Sequence, residues 1–391
     1  MDKVIKLRKG RFGVLRPGHP WIFRRQFLKP AQSISPADIV SVMNSENRFV
    51  GRGYYNPKSE ISVRLLTSSD EPIDKIFFVN RIKSAAEKRK HLLAGTNAYR
   101  AVFSEADSLP GLIVDIYRDT AVFQILTLGM ERFKSTIVEA IKDALQPKYI
   151  YEKSSSPFRK LEGMKDATGW RGEPGENPIE IFEGKVKFLV DIERGHKTGF
   201  YLDQRKSRLA LEAIAGPRRV LDLFCYTGAF AVTAAVYGAE YCRGVEIKEE
   251  WLAAARKNAE LNGAAEKTEF VRADAFSALK EIHDSGERFD IIILDPPSFL
   301  KKRESLASAS KGYKELNLLA IGALGEGGIL ATFSCSRNMP NEKFAAILKE
   351  AAAEAGREFA ILKRCHQAED HPIVKAIPET EYLKGYFLRV K

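Results

Sequence analysis

Residues 220–231 read VLDLFCYTGAFA, an apolar run carrying one acid, Asp222, followed by a turn with a single glycine, Gly228. A dinucleotide-binding turn needs glycines at three set places so that the backbone can approach a pyrophosphate at a helix N-terminus. One glycine serves a smaller ligand, which counts against NAD or FAD. The rhythm around this stretch is apolar run, helix, apolar run, helix. The runs fall at residues 219–224, 241–246, 269–272, 291–294 and 328–333, and several are apolar on both faces. Strands of a mostly parallel sheet read this way when helices cover them. The expectation is an α/β, Rossmann-like domain with its ligand beyond the carboxyl ends of the strands.

Acids stand where that ligand would lie. Glu246 ends the second run, 24 residues after Asp222, where a carboxylate can accept both hydroxyls of a ribose. Asp274, in VRADAF, is placed to accept from an exocyclic adenine amine. A single acid after a strand is commonplace on a protein surface; three in register with three strand ends are not. A ribose and an adenine without a pyrophosphate point to S-adenosylmethionine. The helix expected over residues 248–262 has Leu252, Ala255 and Ala259 on one face and Gly263 as its stop. Trp251, Cys225 and Cys242 read as packing residues.

The fourth run reads FDIIILDPPSF, residues 289–299, and ends on Asp295. Pro296-Pro297 holds the following turn extended with free carbonyls, a rigid rim suited to a planar base edge. The fifth leads into TFSCSRNM, which sets Cys335 between two serines at a strand exit.

With GHKTGFYLDQR (195–205), KGYKELN (311–317), IPETEYLKG (377–385) and SEADSLPGLIVD (104–115), these stretches resemble the family of ribosomal large-subunit RNA (cytosine-5)-methyltransferases dependent on S-adenosylmethionine. The resemblance covers nearly the whole chain. It implies a class I methyltransferase domain over 183–391, a central α+β domain over 73–182 and a small β-rich, PUA-like RNA-binding domain over 1–72. It also implies that Tyr201 and Gln204 help to enclose the cofactor. Asp222, Phe224, Thr227 and Gly228 would hold its methionine end, Glu246 the ribose and Asp274 the adenine, with Asp295 facing both cofactor and target base. Cys335 becomes the nucleophile. Carbon 5 of cytosine is too weak a nucleophile until a thiolate adds to carbon 6. Arg337 is a candidate for lowering that thiol's pKa. His196 is placed to line the pocket, whereas His366 and His371 read as structural. Two other readings stay open: methylation of a guanine or adenine nitrogen, which needs no cysteine, and a non-catalytic RNA-binding assembly factor.

The N-terminal stretch fits an RNA partner. The chain has 391 residues and a formal charge of +11, and residues 1–70 alone carry 13 Lys and Arg against 5 Asp and Glu. Lys9, Arg11, Arg16, Arg24 and Arg25 are interleaved with Phe12, Trp21, Phe23 and Phe27, which suits a phosphate backbone with stacked bases. Short alternating runs at 4–7, 39–43 and 61–66 give this part its β-rich character. A helix is expected over 76–93, strands over 112–117 and 121–126, a helix over 131–145 and a strand over 149–152. Residues 154–177 read as an irregular connection, followed by a hairpin at 179–182 and 186–190. The four cysteines form no CxxC pair, so no zinc site or disulfide framework is expected. No apolar run reaches the roughly 20 residues that span a bilayer. Charges at Asp2, Lys3 and Lys6 break up any signal-peptide core, so the expected location is cytoplasmic. A homodimer is left open.

Overall fold

The computed structural model describes residues 3–10, 15–299 and 306–391; Arg11 and Phe12 lie outside them. The chain divides into two units. One comprises Met1–Ile181, Val190–Leu202 and Glu369–Thr380, the other Phe182–Leu189, Asp203–Ala368 and Glu381–Lys391.

The second unit is built on a seven-stranded sheet. In chain order its elements are β1 (Arg219–Leu223), α1 (Ala229–Val236), β2 (Tyr241–Glu246), α2 (Glu249–Leu261), β3 (Thr268–Arg272), α3 (Ala275–Ser285), β4 (Phe289–Leu294), α4 (Leu306–Ala323), β5 (Leu324–Ser334), α5 (Asn341–Glu354), β6 (Phe359–Cys365) and β7 (Lys384–Val390). The strand order is β3-β2-β1-β4-β5-β7-β6. Strands β1 to β5 run parallel, as the strand–helix rhythm leads one to expect, and Val220, Leu221, Ile291, Ile292, Ile293 and Leu330 are wholly buried. The order reverses between β1 and β4, which opens a crevice at their carboxyl ends.

Strands β6 and β7 were not expected. Both are antiparallel, β7 against β5 and β6 against β7. Strand β6 is the sheet's outer edge, with Ala360 to Arg364 exposed, so it lacks the apolar alternation by which a strand is recognised.

The first unit holds two five-stranded sheets. The first has the order Val4–Lys6, Ile39–Met43, Phe49–Tyr55, Ile61–Thr67, Trp21–Phe23 around Ile5, Ile22, Val40, Val42 and Val63. The second runs Ala167–Trp170, Tyr149–Ser154, Thr120–Ile125, Leu112–Tyr117, Ala98–Phe103, with the helices Lys75–Glu87 and Lys134–Leu145 packed together. Tyr54 and Leu66 of the first sheet share one core with Phe78, Val114 and Ile137. The Tyr54 hydroxyl lies 2.8 Å from the Pro110 carbonyl, and Arg64 pairs with Glu162 at 3.0 Å.

Residues 154–177 are more ordered than expected. Ser156 caps a one-turn helix, Pro157–Leu161, with Pro157 in its first turn, and Ala167–Trp170 adds an edge strand beside Tyr149–Ser154. Glycines flanking so short an edge strand hide its alternation.

The basic N-terminal stretch is partly as expected. Lys9, Arg16, Arg24 and Arg25 are exposed, although Arg24 donates to the Pro57 carbonyl at 2.6 Å. The aromatics divide. Phe27 is core and the Trp21 indole donates to Glu105 at 2.9 Å, which leaves Phe23 exposed. The strand Trp21–Phe23 turns only Ile22 inward, and Phe27 reaches the core after the turn Arg24–Gln26.

Segment 369–380 is tied into this first unit. Asp370 accepts from the Arg100 amide at 2.9 Å, and its carbonyl accepts from Arg89 at 3.1 Å. His19 pairs with Glu379 at 2.9 Å.

Candidate active site

Strands β1, β2, β4 and β5 end together, and each delivers a chemically useful side chain. The loop after β1 is the strained part. Phe224, Tyr226 and Gly228 all have left-handed φ, at 63°, 52° and 73°. For Phe and Tyr this conformation costs of order 1–3 kcal/mol each, and such strain collects at ligand sites. Gly228 has no alternative residue. A Cβ there would lie 2.8 Å from the Ala255 Cβ and 2.9 Å from the Phe270 ring.

The loop is tied to the second strand end. Glu246 accepts from the Tyr226 amide at 3.2 Å through one oxygen and from the amides of Ile247 (2.9 Å) and Lys248 (3.2 Å) through the other. Three backbone donors fix the carboxylate and leave lone pairs for hydroxyl ligands. Asp222 is buried, and its Oδ2 accepts from the Ala231 amide at 3.0 Å. Burial pushes its carboxyl well above the usual range, and the charges of Asp295 and Glu246 push the same way. Asp274 is exposed, and its Oδ1 caps α3 through the amides of Phe276 and Ser277. Only its second oxygen can then serve an adenine amine.

Several buried polar atoms have no hydrogen-bond partner among the described residues. They include both amide atoms of Gln204, Oδ1 of Asp222 and Oγ1 of Thr227. Leaving such groups unpaired costs about 1–3 kcal/mol each, so they are natural ligand contacts. An ammonium suits Asp222, and a carboxylate suits the Thr227 hydroxyl and Gln204 amide. This donor and acceptor set fits the methionine end of S-adenosylmethionine. Tyr201 belongs to the first unit, where its hydroxyl lies 3.1 Å from His196 Nδ1.

Asp295 is half-buried at the end of β4, beside Pro296-Pro297. Across from it, Cys335 leaves β5 half-buried, with Sγ 3.9 Å from the Pro296 carbonyl. Cys225, Cys242 and Cys365 are buried, and burial pushes all three thiols up, Cys242 to about 12.

The serines around Cys335 have structural work that the sequence did not disclose. Ser334 Oγ donates to the Tyr313 hydroxyl at 3.0 Å, which places the KGYKELN segment on α4 beneath the cysteine. The Ser336 carbonyl accepts from Lys384 Nζ at 2.8 Å. Doublets of serine flanking a cysteine at a strand exit are the available signal. Arg337 is exposed, His366 is surface-placed, and His371 is buried against Asp370 at 3.0 Å. Among the described residues no cluster of three or more metal-ligating side chains occurs, and no helix is long and apolar enough to cross a membrane.

Known proteins resemble this chain. A PUA-like domain family matches residues 5–68, and an S-adenosylmethionine-dependent methyltransferase family matches residues 160–386. The chain is 41% identical to a ribosomal RNA large subunit methyltransferase I of Aeromonas salmonicida, over 100% of both chains. It is 42% identical to the protein of that name from Aeromonas hydrophila, again over 100% of both. A solved methyltransferase structure complexed with SAH covers 100% of both chains with a TM-score of 0.85 at 23% identity, a likeness of fold.

Proposed function

The chain belongs to the family of S-adenosylmethionine-dependent ribosomal RNA large subunit methyltransferases I, and from that premise we propose that it methylates carbon 5 of a cytidine in large-subunit ribosomal RNA through a covalent Cys335 adduct. The observation that carries this reading is Cys335 Sγ beside the Pro296 carbonyl of the DPP turn. Methylation of a ring or exocyclic nitrogen would give that thiol no task.

When bound, S-adenosylmethionine supplies an electrophilic methyl group on a sulfonium. Asp222, Thr227 and Gln204 would hold its methionine end, Glu246 its ribose and Asp274 its adenine. The Cys335 thiolate adds to carbon 6 of the flipped cytosine, which makes carbon 5 an enamine nucleophile. Asp295 and the Pro296 carbonyl hold the amino edge of the base. Once carbon 5 carries the methyl group, loss of its proton drives elimination of the Cys335 sulfur and frees the enzyme. The reading places the protein in the cytoplasm, with rRNA or a partly assembled subunit as its partner. Nucleoside mass spectrometry of rRNA from cells with and without the protein tests it. Loss of one 5-methylcytosine is expected; loss of a methylated purine instead would refute it.

Asp222 makes cofactor binding pH-dependent. Its raised carboxyl binds a proton in the free protein at pH values where an ordinary carboxylate does not. An ammonium ligand favours the ionised form, so binding should release up to about one proton and tighten as pH rises towards the native pKa. In the cofactor-free protein the same group lowers stability over that interval, because the folded state holds the extra proton. Calorimetry in buffers of different ionisation enthalpy reads the proton count. Asp222→Asn should abolish it, and equal proton release by that variant would contradict the assignment.

The N-terminal bases are proposed to hold RNA phosphates: Lys9, Arg16, Arg24, Arg25, and Arg11 outside the described residues. Arg16→Ala combined with Arg25→Ala should lower the slope of log affinity against log salt by about 1.4–1.8, at roughly 0.7–0.9 per phosphate contact. Cofactor affinity should not change. An unaltered slope in RNA titrations at several salt concentrations would remove both residues from the interface.

A further inference from the structure

Lys384 opens β7 as a nearly buried lysine, 6% exposed. Lysine is rarely buried unless something pairs with its charge. Its Nζ donates to the carbonyls of Ser336 (2.8 Å) and Tyr382 (3.1 Å), which satisfy hydrogen bonds and leave the charge unbalanced. Strand register sets it opposite Ser334, the residue before Cys335. The groups acting on its charge are Glu381, Cys335 and Arg337. On the side of Cys335 away from the lysine's own strand stand the Tyr313 phenol of α4 and Asp295 at the end of β4, since Cys335 and Asp295 both act on Tyr313. Among these groups only Lys384 is a buried cation; Arg337 is exposed.

We infer that Lys384 is the positioning residue that holds Cys335 as a thiolate and fixes the strand exit from which it attacks. This rests on Cys335 being the nucleophile. The thiol loses its proton to solvent before the base docks, and the sulfur keeps the electron pair that forms the bond to carbon 6. Burial, with Arg337 pushing the same way, leaves the Lys384 pKa lowered, while Glu381 and Cys335 act against that fall; a thiolate at Cys335 therefore favours the ammonium, and the ammonium favours the thiolate. The Ser336 carbonyl contact holds the ammonium against the residue next to the sulfur.

The test needs neither RNA nor turnover. Iodoacetamide alkylation of the full-length protein is followed against pH, with peptide mapping to read Cys335 separately from the three buried thiols. In the wild type the Cys335 midpoint should fall below the ordinary thiol value of about 8.5. Lys384→Gln keeps a donor for the carbonyls but removes the charge. It should raise the midpoint by about one unit or more and slow alkylation at pH 7 roughly tenfold. Lys384→Arg should restore most of the effect. A wild-type midpoint at or above about 8.5 overturns the inference whatever the variants do. So does an unchanged midpoint in Lys384→Gln, or an equal shift in Arg337→Ala. Methylation by Cys335→Ala would instead sink the nucleophile itself and leave these midpoints where they are.

Discussion

Cys335→Ala should bind S-adenosylmethionine normally and lose methylation by on the order of 10⁴-fold or more, the scale at which removing an attacking nucleophile acts. The side chain is half-buried just past the end of β5, outside the wholly buried part of the strand, so the fold should persist. RNA carrying 5-fluorocytosine at the target sharpens the test. Carbon 5 can accept a methyl group, but fluorine cannot leave as a proton does, and the enzyme stalls with its sulfur on carbon 6. The wild type should give a protein–RNA adduct that survives denaturation and requires the cofactor. Cys225→Ala, Cys242→Ala and Cys365→Ala should still form it; Cys335→Ala should not. An adduct on another cysteine would keep the chemistry and move the nucleophile. Robust 5-methylcytosine production by Cys335→Ala would end the mechanism.

Glu246→Ala should weaken S-adenosylmethionine binding by roughly 10- to 100-fold, equivalent to about 1.5–3 kcal/mol of charge-assisted hydrogen bonds. The substitution removes the proposed acceptor for the ribose and also the anchor of Tyr226, whose left-handed backbone is held by that carboxylate. Glu246→Gln separates the two contributions, because it keeps one acceptor oxygen and the side-chain length. An intermediate loss is expected from calorimetric titration. Full affinity in Glu246→Ala, with an unchanged melting temperature, would mean that the ribose lies elsewhere.

Most of the five parallel strands were legible because burial on both faces writes continuous apolar runs into the sequence; β3, an edge strand in which only Phe270 is buried, was legible from its place in the strand–helix rhythm. Strand β6 was not, because its exposed edge residues, Ile361 and Lys363 among them, carry no inward-facing pattern. Asp222, Glu246 and Asp295 could be found by counting to strand ends, a purely local operation. The strain at Phe224 and Tyr226 could not, since neither residue type announces a positive φ. Lys384 escaped for a different reason. Its meaning depends on antiparallel register with a strand some fifty residues earlier, and nothing local to YLKG states that pairing. KGYKELN was recognisable as a motif, yet Tyr313 gained a task only when α4 set its hydroxyl against Ser334.

The chain's last return into the first unit bears on how the protein is made. Residues 369–380 supply Asp370 to Arg100 and Glu379 to His19, partners synthesised some 270 and 360 residues earlier. After Leu202 is added, the nascent first unit lacks that closing segment until Glu369–Thr380 has also been translated. At about 5–20 residues per second the delay is roughly 9–36 s. Through that interval the Arg100 amide waits for its acceptor with the methyltransferase unit still being synthesised. Limited proteolysis should find the first unit cleavable in ribosome-stalled chains that end before residue 369 and protected in the released full chain.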